Sequence, residues 1–197
     1  MRTVTGVSVV LGAITGAAAL HAATSEAPKN ESLYIGDAQL QAIMKKIPPA
    51  QDTGKPGGFS ARLFSASTYN MSFIRLNEPD TPHAHGAWSE VFVVREGAGV
   101  LETGGTITGV TSHDSATHRS MFVDAEGNPL PRTQPPPAAA SARKPTPGDL
   151  AGTGIDGGRK QAVKPGDVIL IPAGVAHRWI EVEQPVVYLD IKFPKAE

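Results

Sequence analysis

The 197-residue chain has no cysteine, so no disulfide staples it, which fits an oxidising compartment in which none is used. It has no excess of either charge: 18 basic against 19 acidic residues give a formal net charge of −1, with no basic stripe and no long run of one sign. Nucleic acid and anionic membrane surfaces are therefore not the expected partners, and a small molecule is the default. What is present is ordinary for one globular domain with a sizeable core, at 40% hydrophobic and 19% charged residues.

The first residues differ from the rest. MRTVTGVSVVLGAITGAAALHAATSE carries Arg2 as its single charge before Glu26, then an apolar stretch from Val7 to Leu20, then small residues, the layout of a secretory signal peptide cleaved after Ala22 or Ala23. A membrane anchor is the alternative reading. The apolar core is short, broken by Gly12 and Gly16, and lacks a positive stop-transfer flank, so no stable span is expected after processing. Losing Arg2 leaves 17 basic and 19 acidic residues, hence −2 for a periplasmic or secreted mature chain.

A polar linker at 26–32 precedes DAQLQAIMKKI, in which Leu40, Ile43, Met44 and Ile47 fall at helical spacing, with Asp37 as N-cap and Pro48-Pro49 as terminator. Such a stripe predicts a packing helix on the side of the domain. Beyond the glycine- and proline-rich stretch from Gly54 to Gly58 the period changes to two. Strands are expected over Arg62–Ser67, Tyr69–Leu76, Ser89–Arg95, Gly99–Thr103, Thr106–Val110, Asp167–Ile171, His177–Val182 and Val186–Phe193. Many short strands and one helix predict an all-β barrel or sandwich. Between them, Gly127–Gly148 holds seven of the 17 prolines and one large aliphatic residue, and reads as an extended or disordered surface loop, with a lid or a partner-binding polyproline segment as the functional alternatives.

Two stretches carry chemistry. In PHAHGAWSEVFVVREG, His83 and His85 share one strand face, and a turn through Gly86–Ser89 can bring the Glu90 carboxylate beside both imidazoles. In GDVILIPAGVAHRW, an apolar strand ends at Pro172, Ala173-Gly174 turns the chain, and His177 starts the next strand. Both stretches resemble the two motifs of the cupin superfamily. Of the first, G-x5-H-x-H-x4-E-x6-G, the last four fixed positions are His83, His85, Glu90 and Gly97, with Asn77 in place of the leading glycine. Of the second, G-x5-P-x-G-x2-H-x3-N, Gly166, Pro172, Gly174 and His177 match, and Glu181 replaces the final asparagine.

The resemblance spans roughly 62–193 and implies a small antiparallel jelly-roll barrel with metal ligands His83, His85, Glu90 and His177 in its mouth. The expected layout is a signal peptide over 1–23, a linker and helix over 24–61, and a cupin barrel over 62–197 that carries a flexible insertion at about 111–150. The insertion explains the 68 residues between Gly97 and Gly166, far more than the shortest members need. Fragments such as ETGGTITG and GTGIDGG are also similar to bacterial single-domain cupins.

Three imidazoles and a carboxylate suit one divalent transition metal, Fe, Mn, Ni, Cu or Zn, and are too nitrogen-rich for calcium or magnesium. Four protein ligands on an octahedral ion leave two positions open, as a catalytic or substrate-binding site requires. Trp179 shares the ligand face of its strand and is either a pocket wall or a core tryptophan. Tyr69, Met71, Phe73 and Arg75 share one face, so Arg75 pairs with a substrate carboxylate if that face looks inward and is solvated if it does not. His113 and His118 read as exposed polar loop, with a lid or a second, weaker metal site as alternatives.

The leading functional expectation is an exported metal-dependent enzyme, dioxygenase-like or lyase/isomerase-like, acting on a small oxygen-bearing organic molecule. A non-catalytic metal- or small-ligand-binding module, and a scaffold recruiting a partner through the proline-rich loop, are the alternatives. Homodimerisation through edge strands stays open.

Overall fold

A computed structural model of the chain describes residues 34–47, 58–65, 68–111, 118–122 and 148–195. The export segment, the polar linker, Pro48-Pro49, His113 and the proline-rich run up to Pro147 lie outside them. Among the described residues no helix is long and apolar enough to cross a membrane.

Among the described residues the fold is all-β and mostly antiparallel with one helix, as expected. Helix α1 (Asp37–Lys46) precedes strands β1 (Gly58–Ser65), β2 (Asn70–Leu76), β3 (His83–Ala84), β4 (Trp88–Thr103), β5 (Thr106–Thr108) and β6 (His118–Phe122). After the insertion come β7 (Leu150–Ala151), β8 (Gly154–Asp156), β9 (Arg159–Val163), β10 (Val168–Ile171) and β11 (His177–Pro194). The main sheet runs β10-β4-β11-β2-β1-β6, with β3, β7 and β9 joined to its sides, while β5 and β8 form a separate ribbon. Pairing is antiparallel except for β1 with β6.

Several expectations need correction. Ser89–Arg95 and Gly99–Thr103 are one strand, β4, and His177–Val182 and Val186–Phe193 are one strand, β11. The turn residues between them mark register shifts in a continuous ladder, not reversals. Gly97 supplies one of them at φ 75°, with the Pro185 carbonyl so close that a Cβ there would lie 2.2 Å from its oxygen. Helix α1 is capped by Gly36, and Asp37 is its first residue, its carboxylate accepting from Arg95 Nη2 at 2.6 Å. His118, expected in a loop, opens β6, and the segment 150–163 forms three strands that the sequence reading missed.

Two apolar layers hold the sheet. Inside it, Ile74, Leu76, Phe92, Val94, Leu101, Val163, Ile171, Trp179, Val186 and Tyr188 form the main core. Outside it, Ile43 and Met44 of α1 and Ile47 just after it, part of the stripe expected from the sequence, close over Ala61, Leu63, Phe73 and Val187. Each fully buried aliphatic or aromatic side chain in these layers contributes about 1.5–3 kcal/mol.

Candidate metal centre

His83 and His177 are direct cross-strand partners in the β3/β11 ladder, with ring centroids 4.2 Å apart. His85 follows His83 by two residues and so keeps its face, 5.3 Å away centroid to centroid. Each of the three offers a ligand nitrogen, and these nitrogens all lie within 4.8 Å of one another. Glu90, near the start of β4, is buried and reaches the same point: its Oε2 is 2.9 Å from His177 Nε2 and its Oε1 is 3.7 Å from His85 Nε2.

Backbone carbonyls set the tautomers. Nδ1 of His83 lies 2.8 Å from the Thr81 carbonyl and Nδ1 of His177 lies 3.0 Å from the Val175 carbonyl. A carbonyl only accepts, so both Nδ1 atoms carry a proton and both Nε2 atoms point inward, where the Nε2 lone pair is free for a metal in the neutral ring. His177 Nε2 and Glu90 Oε2 face each other at 2.9 Å, an ion pair when His177 is protonated and two opposed acceptors when it is neutral. A cation between them relieves that contact, so the donor set fits a divalent transition metal.

Charges follow the same geometry. Burial, reinforced by the neighbouring His177 and His85, holds His83 well below the ordinary imidazole value, so it is neutral. Burial and then the Lys192 ammonium bring His85 down to about 3. Burial pushes the Glu90 carboxyl up, but Lys192 and His177 outweigh it and keep the group well below the carboxylate range. His177 is pulled down by burial and raised further by Glu90, with a net rise.

The far end of the insertion returns to this point. β7 pairs with β3, setting Ala151 against His83 and Leu150 against Ala84. Asp149 accepts the Gly86 amide at 2.8 Å and places Oδ1 4.0 Å from His85 Nδ1. The second motif also grips the first through backbone, since Gly174 N–H donates to the His85 carbonyl at 2.8 Å. On the other side, Asp80 accepts the Trp179 amide at 2.6 Å, two residues beyond His177, and burial pushes its carboxyl up to about 7.

The substrate-contact expectations fare differently. Trp179 is fully buried in the main core, its ring 5.6 Å from Tyr188, so it walls the interior as a packing residue. Arg75 and Tyr69 do not join the histidines on the inward face. Arg75 pairs with Val187 and shares its face with Phe73, the face that α1 covers, while Tyr69 is 45% exposed just before β2. The polar side chains that face inward include Asn70 and Ser72 of β2 and Asp190 and Lys192 of β11, paired Asn70 with Lys192 and Ser72 with Asp190, with Arg62 of β1 opposite Ser72. Lys192 donates to Glu90 Oε1 and lies 3.0 Å from His85 Nε2 and 3.8 Å from Asp190 Oδ2. The sequence reading missed this residue. Its signal was the alternation of Tyr188, Asp190 and Lys192 with Val187, Leu189 and Ile191, which does not by itself say which face is inside.

No family model and no curated protein matches the chain. Solved structures do resemble it. A hydroquinone 1,2-dioxygenase from a Sphingomonas species has 14% identity over 89% of this chain and 87% of its own, with a TM-score of 0.44. A double-stranded beta-helix protein from Klebsiella pneumoniae has 11% identity over 83% and 91%, at 0.44, and a cupin domain from Bordetella pertussis has 13% over 73% and 99%, at 0.38. The description of the site therefore rests on its own geometry.

Proposed function

We propose that the chain is a metal-dependent enzyme acting on a small oxygen-bearing organic molecule, with His83, His85, Glu90 and His177 as the metal ligands. The observation that carries this reading is the convergence of three histidine nitrogens within 4.8 Å of one another, with the buried Glu90 carboxylate beside two of them and backbone carbonyls turning Nε2 of His83 and His177 inward.

When bound, a divalent ion at this point supplies either Lewis-acid polarisation of a substrate oxygen or a seat for dioxygen chemistry. The protein does the rest. His83 and His177 hold fixed orientations through Thr81 and Val175, so the ligand lone pairs need no reorganisation. Glu90 keeps a negative charge at the centre. Phe92, Tyr188 and Trp179 exclude water from below, and Asn70, Ser72, Asp190 and Lys192 give the cavity wall donors and acceptors that can orient hydroxyl, carboxylate or enolate oxygens.

The dioxygenase-like and lyase/isomerase-like branches separate in one assay. The metal-loaded protein is incubated with a panel of hydroxy acids, keto acids and dihydric phenols, while dissolved oxygen and product absorbance are followed together. Turnover with oxygen consumption selects the first branch and turnover without it the second. Ligand binding without turnover across the panel leaves a binding module.

We also propose that 1–23 directs export and is removed, a reading supported by Arg2 followed by the apolar Val7–Leu20 stretch. N-terminal sequencing of protein from the periplasm of an expressing bacterium should begin at Ala23 or Thr24. An intact Met1 in a cytoplasmic fraction would contradict it.

A further inference from the structure

We propose that Lys192 is an internal cation that shares its seat with the metal: its ammonium holds Glu90 and His85 before the metal arrives and withdraws to Asp190 and Asn70 when the metal binds. The proposal rests on the metal reading above and concerns what this chain adds to it.

Three observations carry it. The Lys192 ammonium donates to Glu90 Oε1 and approaches His85 Nε2 at 3.0 Å, two of the atoms a metal would take. A lone pair that accepts from an ammonium is not available to a metal, so the two occupants exclude each other on the same atoms. The second seat is already built. Asp190 Oδ2 lies 3.8 Å from Nζ, and Asp190 Oδ1 is buried with no hydrogen-bond partner. Asn70 stands directly opposite Lys192 in the β2/β11 ladder, and its Oδ1 is likewise buried without a partner. Two orphaned acceptors beside a lysine are what a displaced ammonium needs, since it brings three donors and no acceptor. The ammonium therefore has a carboxylate partner in both states, Glu90 in one and Asp190 in the other.

The test is a calorimetric titration of the metal-free full chain with cobalt(II) chloride, with the visible cobalt spectrum recorded in parallel. Four chains are compared: wild type, Lys192→Met, Asp190→Asn and the double variant. Lys192→Met should bind cobalt about 10-fold to 100-fold more tightly, because no internal competitor remains. Asp190→Asn should bind about 10-fold more weakly, because the displaced ammonium has lost its partner. The double variant should bind as tightly as Lys192→Met, since Asp190 acts only through the lysine.

Equal or weaker binding by a Lys192→Met chain that melts cooperatively overturns the proposal. So does an Asp190→Asn effect that persists undiminished in the Lys192→Met background. Lys192→Gln repeats the comparison should the methionine variant fail to fold. If wild type binds cobalt through imidazole and Lys192→Met binds it no better, the metal centre stands and only the role of Lys192 falls. If neither binds cobalt, both readings fall.

Discussion

Replacing Gly97 and Gly174 in turn by alanine should give clearly different losses of stability, although both are fixed glycines of the two motifs and both adopt positive φ, 75° and 82°. An alanine held at positive φ costs about 1–2 kcal/mol at either position. At Gly174 nothing lies within 4 Å of the added methyl, so that is the whole cost. At Gly97 the methyl would stand 2.2 Å from Pro185 O, 2.7 Å from its carbonyl carbon and 2.9 Å from Val186 Cα. All three are backbone atoms of β11, so the strand itself must give way, which adds about 1–3 kcal/mol as overpacking does in a core. Gly97→Ala should therefore lose about 2–5 kcal/mol and Gly174→Ala about 1–2. Urea unfolding followed by tryptophan fluorescence reads both, because Trp179 is 1% exposed in the folded core. Equal losses in the two variants would refute the close β4/β11 approach at Gly97 and with it the single-strand description of both elements.

Three other perturbations have defined outcomes. Asp80, raised by burial from 3.8 to about 7, binds its proton more tightly folded than unfolded, so its contribution to stability is lost as pH rises from about 4 to 7; as an upper bound the loss is about 4 kcal/mol. Asp80→Asn keeps an acceptor for the Trp179 amide and should flatten this part of the stability–pH curve, and an unchanged slope from pH 4.5 to 8 would count against the burial argument. Asp149→Ala, which removes the acceptor of the Gly86 amide, should weaken metal binding about 10-fold by loosening His85, measured by competition with a chromophoric chelator, and unchanged affinity would deny the returning insertion a role in holding the ligand. Arg75→Ala, on the helix-covered face, should leave metal affinity within about twofold, and a large loss would put that face in contact with the cavity after all.

The site was more legible in the sequence than its surroundings, and the reason is local geometry. His-x-His on a strand and His177 after a turn fix side-chain direction through the period of two, so their meeting point needed little knowledge of the whole sheet. The helix stripe was legible for the same reason, since Ile43, Met44 and Ile47 needed only a partner layer. What alternation cannot supply is the sign of the face. In NMSFIRL and VVYLDIKF both faces are covered, one by the main core and one by α1, so the polar Asn70, Ser72, Asp190 and Lys192 look inward and the apolar Met71, Phe73, Val187 and Leu189 look outward. Arg75 takes the outward alternative of its two expected placements, and Lys192 was overlooked because the sign of its face was open. The short strands over 150–163 carry few large apolar residues and owe their pairing to partners such as β3 and β4, which lie far away in sequence.

The most direct measurement is the metal content of the chain starting near Ala23, purified without added metal and again after reconstitution, beside the His83→Ala/His177→Ala variant. The account predicts close to one transition-metal ion per wild-type chain, and loss of it in a variant that still unfolds cooperatively. Absence of metal from the reconstituted wild type, or equal content in the two proteins, would contradict it.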